Sequence, residues 1–247
     1  MNLGPTEKLL RRFTKTIRRS WLTSLSQVRA DLSVVEVTAE RFADSVIRLS
    51  ILAGYAESAH LSHGVFDPTV SADRFRIERG GLVSRFIADV QRSTGSGLNI
   101  GLSDRQRRDL RAFAATLERA SLDAIEFSEV SQFTTAESRN QVRRLRSAMI
   151  NQRATTIAKT EATSALSLGV EVAIEQTENL NGIPIPRTWR TAADERVRSS
   201  HSAMSGQTRL SNQPFISGNG VALMRPGDIN APVSERANCR CLLITGG

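Results

Sequence analysis

A mainly helical N-terminal region followed by a small α+β module is the fold class this sequence predicts, and three observations predict it. Aromatic residues make up only 5% of the chain against a hydrophobic share of 40%. A core built from that mixture is aliphatic and alanine-rich, which favours packed helices over a sandwich. Apolar residues recur at helical spacing until about residue 176 and then stop doing so. Between the two regimes lies Asn181-Gly182, a turn signal, followed by Pro184 and Pro186 alternating with isoleucine as a stiff, extended connector. The expected division is a basic helical region over 1–178, a linker over 179–186 and an α+β module over 187–247.

Leu9, Phe13, Ile17, Trp21, Leu25, Val28 and Leu32 draw one stripe along a helix over 6–31. A second helix over 39–60 carries Phe42, Val46, Leu49 and Ala53 on one face, with Thr38 as its expected cap. His60 and His63 stand three residues apart near its end, where a histidine is favoured by the helix dipole; a shared metal is the competing reading. Asp67-Pro68 marks a turn, and Gly80-Gly81 is expected to interrupt before a short helix over 82–92. Thr94-Gly95-Ser96-Gly97 reads as a loop; it lacks the Gly-Lys-Ser/Thr of a phosphate loop. Ser103 caps the next helix, striped by Leu110, Phe113, Ala114 and Leu117. Thr134 or Thr135 caps the one after, which carries Arg139, Arg143, Arg144 and Arg146 and runs on into 153–176. In the module, strands are expected at Thr188–Thr191, Val221–Met224 and Cys241–Ile244, with a short helix from Asp194 to Met204.

Charge narrows the partners. The chain of 247 residues has a formal net charge of +8, carried almost wholly by arginine. Arg11, Arg12, Lys15, Arg18 and Arg19 crowd the polar side of the first helix, and Arg143, Arg144 and Arg146 cluster on a later one. Such faces suit an acidic protein surface or the phosphates of DNA, held without sequence readout, or simply meet water. No apolar run approaches the roughly 20 residues that span a bilayer, so no membrane partner is expected. The N-terminus lacks the apolar stretch of a secretory signal, and a reducing cytoplasm is the expected setting of synthesis.

The most distinctive residues lie in the C-terminal third. Arg153-Ala154-Thr155-Thr156-Ile157-Ala158-Lys159-Thr160-Glu161 is followed by the small residues Ala162, Ala165 and Gly169, which let a neighbour approach closely. Trp189 then lies in a strand, and Asp194, Val197, Arg198 and His201 follow on an expected helix. Gly206, a Pro226-Gly227-Asp228 turn and a terminal Asn238-Cys239-Arg240-Cys241 complete the series. In the turn, proline presets its own φ, glycine tolerates a positive one, and the aspartate bonds back to the turn amides. Arg196, Arg198 and Arg240 are expected to pair with Asp194, Asp228 or Glu235, or to meet phosphate.

Both cysteines of the chain and one of its three histidines fall in this block. A Cys-x-Cys disulfide would close a strained ring, so three alternatives stand. Cys239, Cys241 and His201 could hold a structural zinc ion, with Asp194 as the fourth ligand or Asp228 in its place. A module this small would gain stability directly from the metal. The thiols could instead pack as small apolar groups while His201 hydrogen-bonds to a neighbour. Or Cys239 could be a nucleophile activated by His201, although it has no Gly-rich oxyanion segment before it.

The order of motifs from Arg153 to Cys241 resembles the phage Mu F-like head morphogenesis family, minor head (capsid) proteins of tailed bacteriophages. The resemblance implies a low-copy virion protein made in the bacterial host cytoplasm. It implies incorporation during procapsid assembly at the portal vertex, near packaged DNA, with the portal protein and other head proteins as partners. On this reading Trp189, Arg198, Gly206, Pro226, Gly227, Asp228, Asn238, Arg240, Lys159 and Glu161 are structural motif residues, and the chain performs no turnover. A metal- or thiol-dependent hydrolase and a non-specific DNA-binding protein are the competing readings.

Overall fold

A computed structural model describes residues 5–30, 32–61, 64–91, 101–118 and 136–245. Helices α1 (Pro5–Ala30), α2 (Val35–His60), α3 (Pro68–Gln91), α4 (Asp104–Glu118) and α5 (Ala136–Asn181) come first. After them come β1 (Arg187–Arg190), α6 (Ser199–Ser202), β2 (Thr208–Arg209), β3 (Phe215–Ile216), β4 (Ala222–Leu223), α7 (Val233–Arg236) and β5 (Leu242–Thr245). The mainly α region followed by a module of short antiparallel strands is as the composition predicts.

Several boundaries differ, each for a local reason. A single 3-10 turn at Leu32–Val34 feeds α2, so Thr38 lies inside the helix, and its carbonyl accepts from Ser24 Oγ. Asp67 begins α3: its Oδ1 accepts from Thr69 N at 2.8 Å and Thr69 Oγ1 at 2.6 Å, and Pro68 takes the first helical position. Proline there costs nothing, because that N–H would be unpaired anyway. The helix then runs through Gly80-Gly81, since glycine weakens a helix without breaking it. Ser103 and Gln106 exchange hydrogen bonds as a capping box for α4. Helix α5 extends three residues past the expected edge of the linker and stops at Gly182, whose φ of +66° and N–H to Glu178 O end it. The Thr94–Gly97 loop, His63, Thr134 and Thr135 lie outside the described residues.

The chain forms two compact units. Residues 20–42 and 81–155 form one; residues 1–19, 43–80 and 156–247 form the other. In the first, Trp21, Leu25, Val28, Phe42, Leu110 and Val142 are buried, and Gln106 Nε2 donates to Met149 O at 2.9 Å, tying α4 to α5. In the second, Val46, Leu49, Ala53 and Phe75 are buried beside a stretch of α5, residues 161–174, that is buried all round. The α2–α5 contact is backbone-close: a Cβ on Gly169 would lie 2.0 Å from Ser50 O. That is the use of the small-residue face.

The module belongs to this second unit. Strand β1 is central, antiparallel to β2 on one side and β5 on the other, with Trp189 opposite Leu243. Strands β3 and β4 form a separate antiparallel pair. Arg187 and Trp189 alternate onto the buried side of β1. Trp189 joins Ile174, Met204, Phe215, Leu223 and Leu243 in the apolar core.

Arg187 is fully buried and meets Glu171 of α5, whose Oε1 accepts from its Nη1 at 3.2 Å. Arg225 Nη1 donates to the other carboxylate oxygen at 2.8 Å. Arg187 Nη2 also donates to Ser211 O and Gln213 O, and its guanidinium lies 5.5 Å from the centre of the Phe215 ring. Planar, multidentate donation of this kind is not available to lysine. One buried carboxylate thus fixes two segments of the module.

Stability measurements check both contacts. Glu171→Ala leaves two buried guanidinium groups without their anion and is expected to cost about 3–5 kcal/mol in a denaturant titration. Gly169→Ala forces α2 and α5 apart and is expected to cost about 1–3 kcal/mol or more. A loss below about 0.5 kcal/mol for either, within the range of ordinary surface changes, would contradict the packing.

Candidate functional site

His201 lies on the single-turn helix α6, where its N–H bonds Arg198 O and its side chain is 2% exposed. The Trp189 ring meets it edge-on with ring centroids 5.6 Å apart. Across from it, the Asn238-Cys239-Arg240-Cys241 segment is pinned to α5. Thr160 Oγ1 accepts from Asn238 N at 2.9 Å, and Thr163 Oγ1 donates to Cys239 O at 2.6 Å. Asn238 has a φ of +57°, a conformation asparagine tolerates better than most residues. This turn, with α7 before it and β5 after it, carries both thiols inward.

The three side chains converge. His201 Nδ1 lies 3.7 Å from Cys239 Sγ and 3.5 Å from Cys241 Sγ. One potential ligand atom from each residue lies within 4.8 Å of the others, and all three residues are buried. On the opposite side of the ring, His201 Nε2 is 3.0 Å from Glu235 Oε2, close but off the line of a well-aligned hydrogen bond. Glu235 is held in turn by Ser200 Oγ at 3.0 Å and Asn219 Nδ2 at 2.9 Å. Burial opposes its ionisation; the Asn219 and Ser200 hydrogen bonds and His201 outweigh that and hold its pKa below the ordinary value. The thiols act as a pair. The Cys241 S–H, held protonated by its contact with Cys239 and by burial, favours a thiolate on Cys239, which His201 also favours.

Asp194, the expected fourth ligand, is engaged elsewhere. The expected helix from Asp194 to Met204 reduces to Ser199–Ser202, because Asp194 Oδ1 accepts from Arg196 N and sets a turn ahead of it. Its carboxylate receives Arg240 Nη1 at 2.7 Å and Nη2 at 2.5 Å, a bidentate pair. Asp228, the other candidate, accepts from Met224 N at 2.8 Å and Asn230 N at 2.9 Å and so closes its own turn.

Gly227, Gly206 and Arg198 of the motif make hydrogen bonds through their backbone or side chain. Gly227, with a φ of +74°, approaches α5 closely, and Ser164 Oγ donates to its carbonyl at 2.8 Å; Pro226 beside it is buried. Gly206 has a φ of +83° and donates to Trp189 O. Arg198 Nη2 donates to Ala237 O. Glu161 is buried on α5, and Lys159 is half-buried there. Arg11, Arg12, Lys15 and Arg19 are exposed on α1, with Arg18 half-buried; Arg143 and Arg144 are exposed on α5, with Arg146 half-buried. His60 is exposed at the end of α2.

A family profile described as Phage Mu protein F like protein matches residues 77–244, more than half of the chain. The chain belongs to that family. Membership in this phage Mu protein F-like family points to head morphogenesis and agrees with the motif order from Arg153 to Cys241. Comparison with curated proteins gives no match, and neither does comparison with solved structures. Among the described residues, no helix is long and apolar enough to cross a membrane.

Glu235, Glu171, Arg187 and Arg225 have contacts that sequence reading does not assign. For Glu171 a signal exists: an acid centred in a run of alanine, serine, leucine and valine on a helix buried all round requires a buried partner. No spacing rule links Glu235 to His201.

The Asp194–Arg240 pair gives a pH signature. The Arg240 hydrogen bonds pull the Asp194 pKa far below its ordinary value of 3.8. Its contribution to stability is therefore complete above about pH 4–5 and fades as pH falls below that. Asp194→Asn is expected to lower the urea midpoint at neutral pH, and the gap from the parent is expected to shrink at about pH 3. A gap constant with pH would count against the pair.

Proposed function

We propose that this chain is a low-copy minor head protein that enters the particle during procapsid assembly. It docks at the portal vertex, on the portal protein and other head proteins, and lies near the packaged DNA inside the virion. The observation that carries this reading is the seating of the C-terminal module on α5, through Glu171 and the hydroxyls of Thr160, Thr163 and Ser164. A face held this firmly offers a partner fixed geometry with little ordering cost. Family membership supports work in head morphogenesis. The role is binding and assembly, with no turnover.

The exposed basic groups on α1 and α5 supply the second part of the reading. Arg11, Arg12, Lys15 and Arg19, and separately Arg143 and Arg144, suit an acidic protein face or a phosphate backbone held without sequence readout. A thiol-dependent hydrolase would need a nucleophile within reach of substrate. Cys239 and Cys241 are 1% and 3% exposed at a small depression that admits a water-sized ligand, which weighs against attack on a polypeptide substrate.

Asymmetric reconstruction of assembled heads tests the placement: density for the module is expected against the portal, and density distributed over the shell would overturn it. Glu171→Ala is expected to deplete the chain from purified heads, measured by mass spectrometry against the portal protein. For the DNA component, duplex binding is expected to weaken with salt. Replacing Arg11, Arg12, Lys15 and Arg19 by glutamine is expected to flatten the log–log slope by about 0.9 for each phosphate no longer neutralised. Absence of binding even at low salt removes that component.

A further inference from the structure

We infer that His201, Cys239 and Cys241 form a binding site for one zinc ion, oriented by Glu235 and with a fourth coordination position facing solvent. This stands apart from the placement in the phage head, and neither depends on the other.

The donor set points to zinc first. Two thiols and one imidazole are ligands that zinc favours, and soft sulfur donors set them apart from a magnesium or calcium site. Distance agrees. Zinc bonds sulfur at about 2.3 Å and nitrogen at about 2.0–2.1 Å, so a tetrahedral centre separates N from S by roughly 3.6 Å. His201 Nδ1 stands 3.5 Å and 3.7 Å from the two sulfurs. One ion at bonding distance from all three donors needs little rearrangement.

Glu235 adds the orientation. With its proton on Nε2, 3.0 Å from the Glu235 carboxylate, His201 would direct the Nδ1 lone pair at the thiols. A carboxylate behind a ligating histidine is the usual outer partner of a zinc site, because it fixes the tautomer and raises the basicity of the ring. Apolar packing of two cysteines would give no reason to bury an acid there, itself secured by Ser200 and Asn219.

Access completes the case. All three residues line a small surface depression together with Val197, Arg198 and Arg240. Asp194 is taken by Arg240 and Asp228 by its own turn, so neither carboxylate completes the set. Three protein donors beside a solvent-facing recess match the pattern in which water fills the last position. Both cysteines bind as thiolates, any remaining thiol proton passing to solvent, and their two negative charges balance the charge of the ion.

The test uses the full chain, purified under reducing conditions, incubated with zinc and freed of unbound metal. Elemental analysis is expected to find about one zinc per chain, and Cys239→Ser and Cys241→Ser are expected to fall to background. Glu235→Gln is expected to stay folded and bind zinc with affinity about 10–100-fold weaker, read by competition with a chromogenic chelator. Cobalt loaded into the parent chain is expected to give thiolate charge-transfer and tetrahedral ligand-field bands, and added azide to shift them through the fourth position. The cobalt spectrum decides the matter if the serine variants fail to fold. Background zinc in the reconstituted parent, equal zinc in parent and serine variants, or cobalt without sulfur ligation would overturn the site. Unchanged affinity in Glu235→Gln would overturn the role of Glu235, and bands indifferent to azide would overturn the open position.

Discussion

The carboxylate of Glu171 is the constraint on which the C-terminal half of this protein depends. It sits in a helical stretch buried on every side, where an unpaired charge would be prohibitive. Arg187 and Arg225 approach it from different parts of the module. Well-packed apolar groups in place of such a buried triad often match or exceed it in stability, so the reason for its presence is better sought in specificity. The observed docking of the module on α5 brings the three charges together.

Along the same helix, Thr160, Thr163 and Ser164 repeat this logic with neutral groups. Each has its hydroxyl bonded to backbone of the module, at Asn238, Cys239 and Gly227. The Lys159-Thr160-Glu161 segment is therefore part of a rail onto which the terminal turns are fastened. Cys239, and with it the His201 cluster, inherits its position from Thr163. The chemistry of the thiols and the architecture of the helix are one problem.

Much of the fold is legible in the residues. The stripe through Ile17, Trp21, Leu25 and Val28 reads directly as a buried helix face, as does Phe42, Val46, Leu49 and Ala53. Ser103 announces α4 because the Ser-x-x-Gln capping box is local chemistry. The Pro226-Gly227-Asp228 turn is readable for the same reason. What resists is whatever depends on contacts far apart in the chain. Gly80-Gly81 reads as a break in a helix that in fact continues across it, since a weak local preference yields to its surroundings. Spacing puts Asp194 on a helical face with His201, but its own short-range bond to Arg196 ends that helix before it starts. The pairing of Glu235 with His201 rests on tertiary folding and leaves no mark in spacing.

The antiparallel partnership of β1 with β5 sets an order of events during synthesis. Trp189 pairs with Leu243, and Thr163 reaches a carbonyl 76 positions further on. At a ribosomal pace of about 5–20 residues per second, that separation lasts roughly 4–15 s. Through this interval the hydroxyl of Thr163 has no Cys239 carbonyl to bond. Closure of the module then acts as a latch, set only once the strand after Cys241 has emerged.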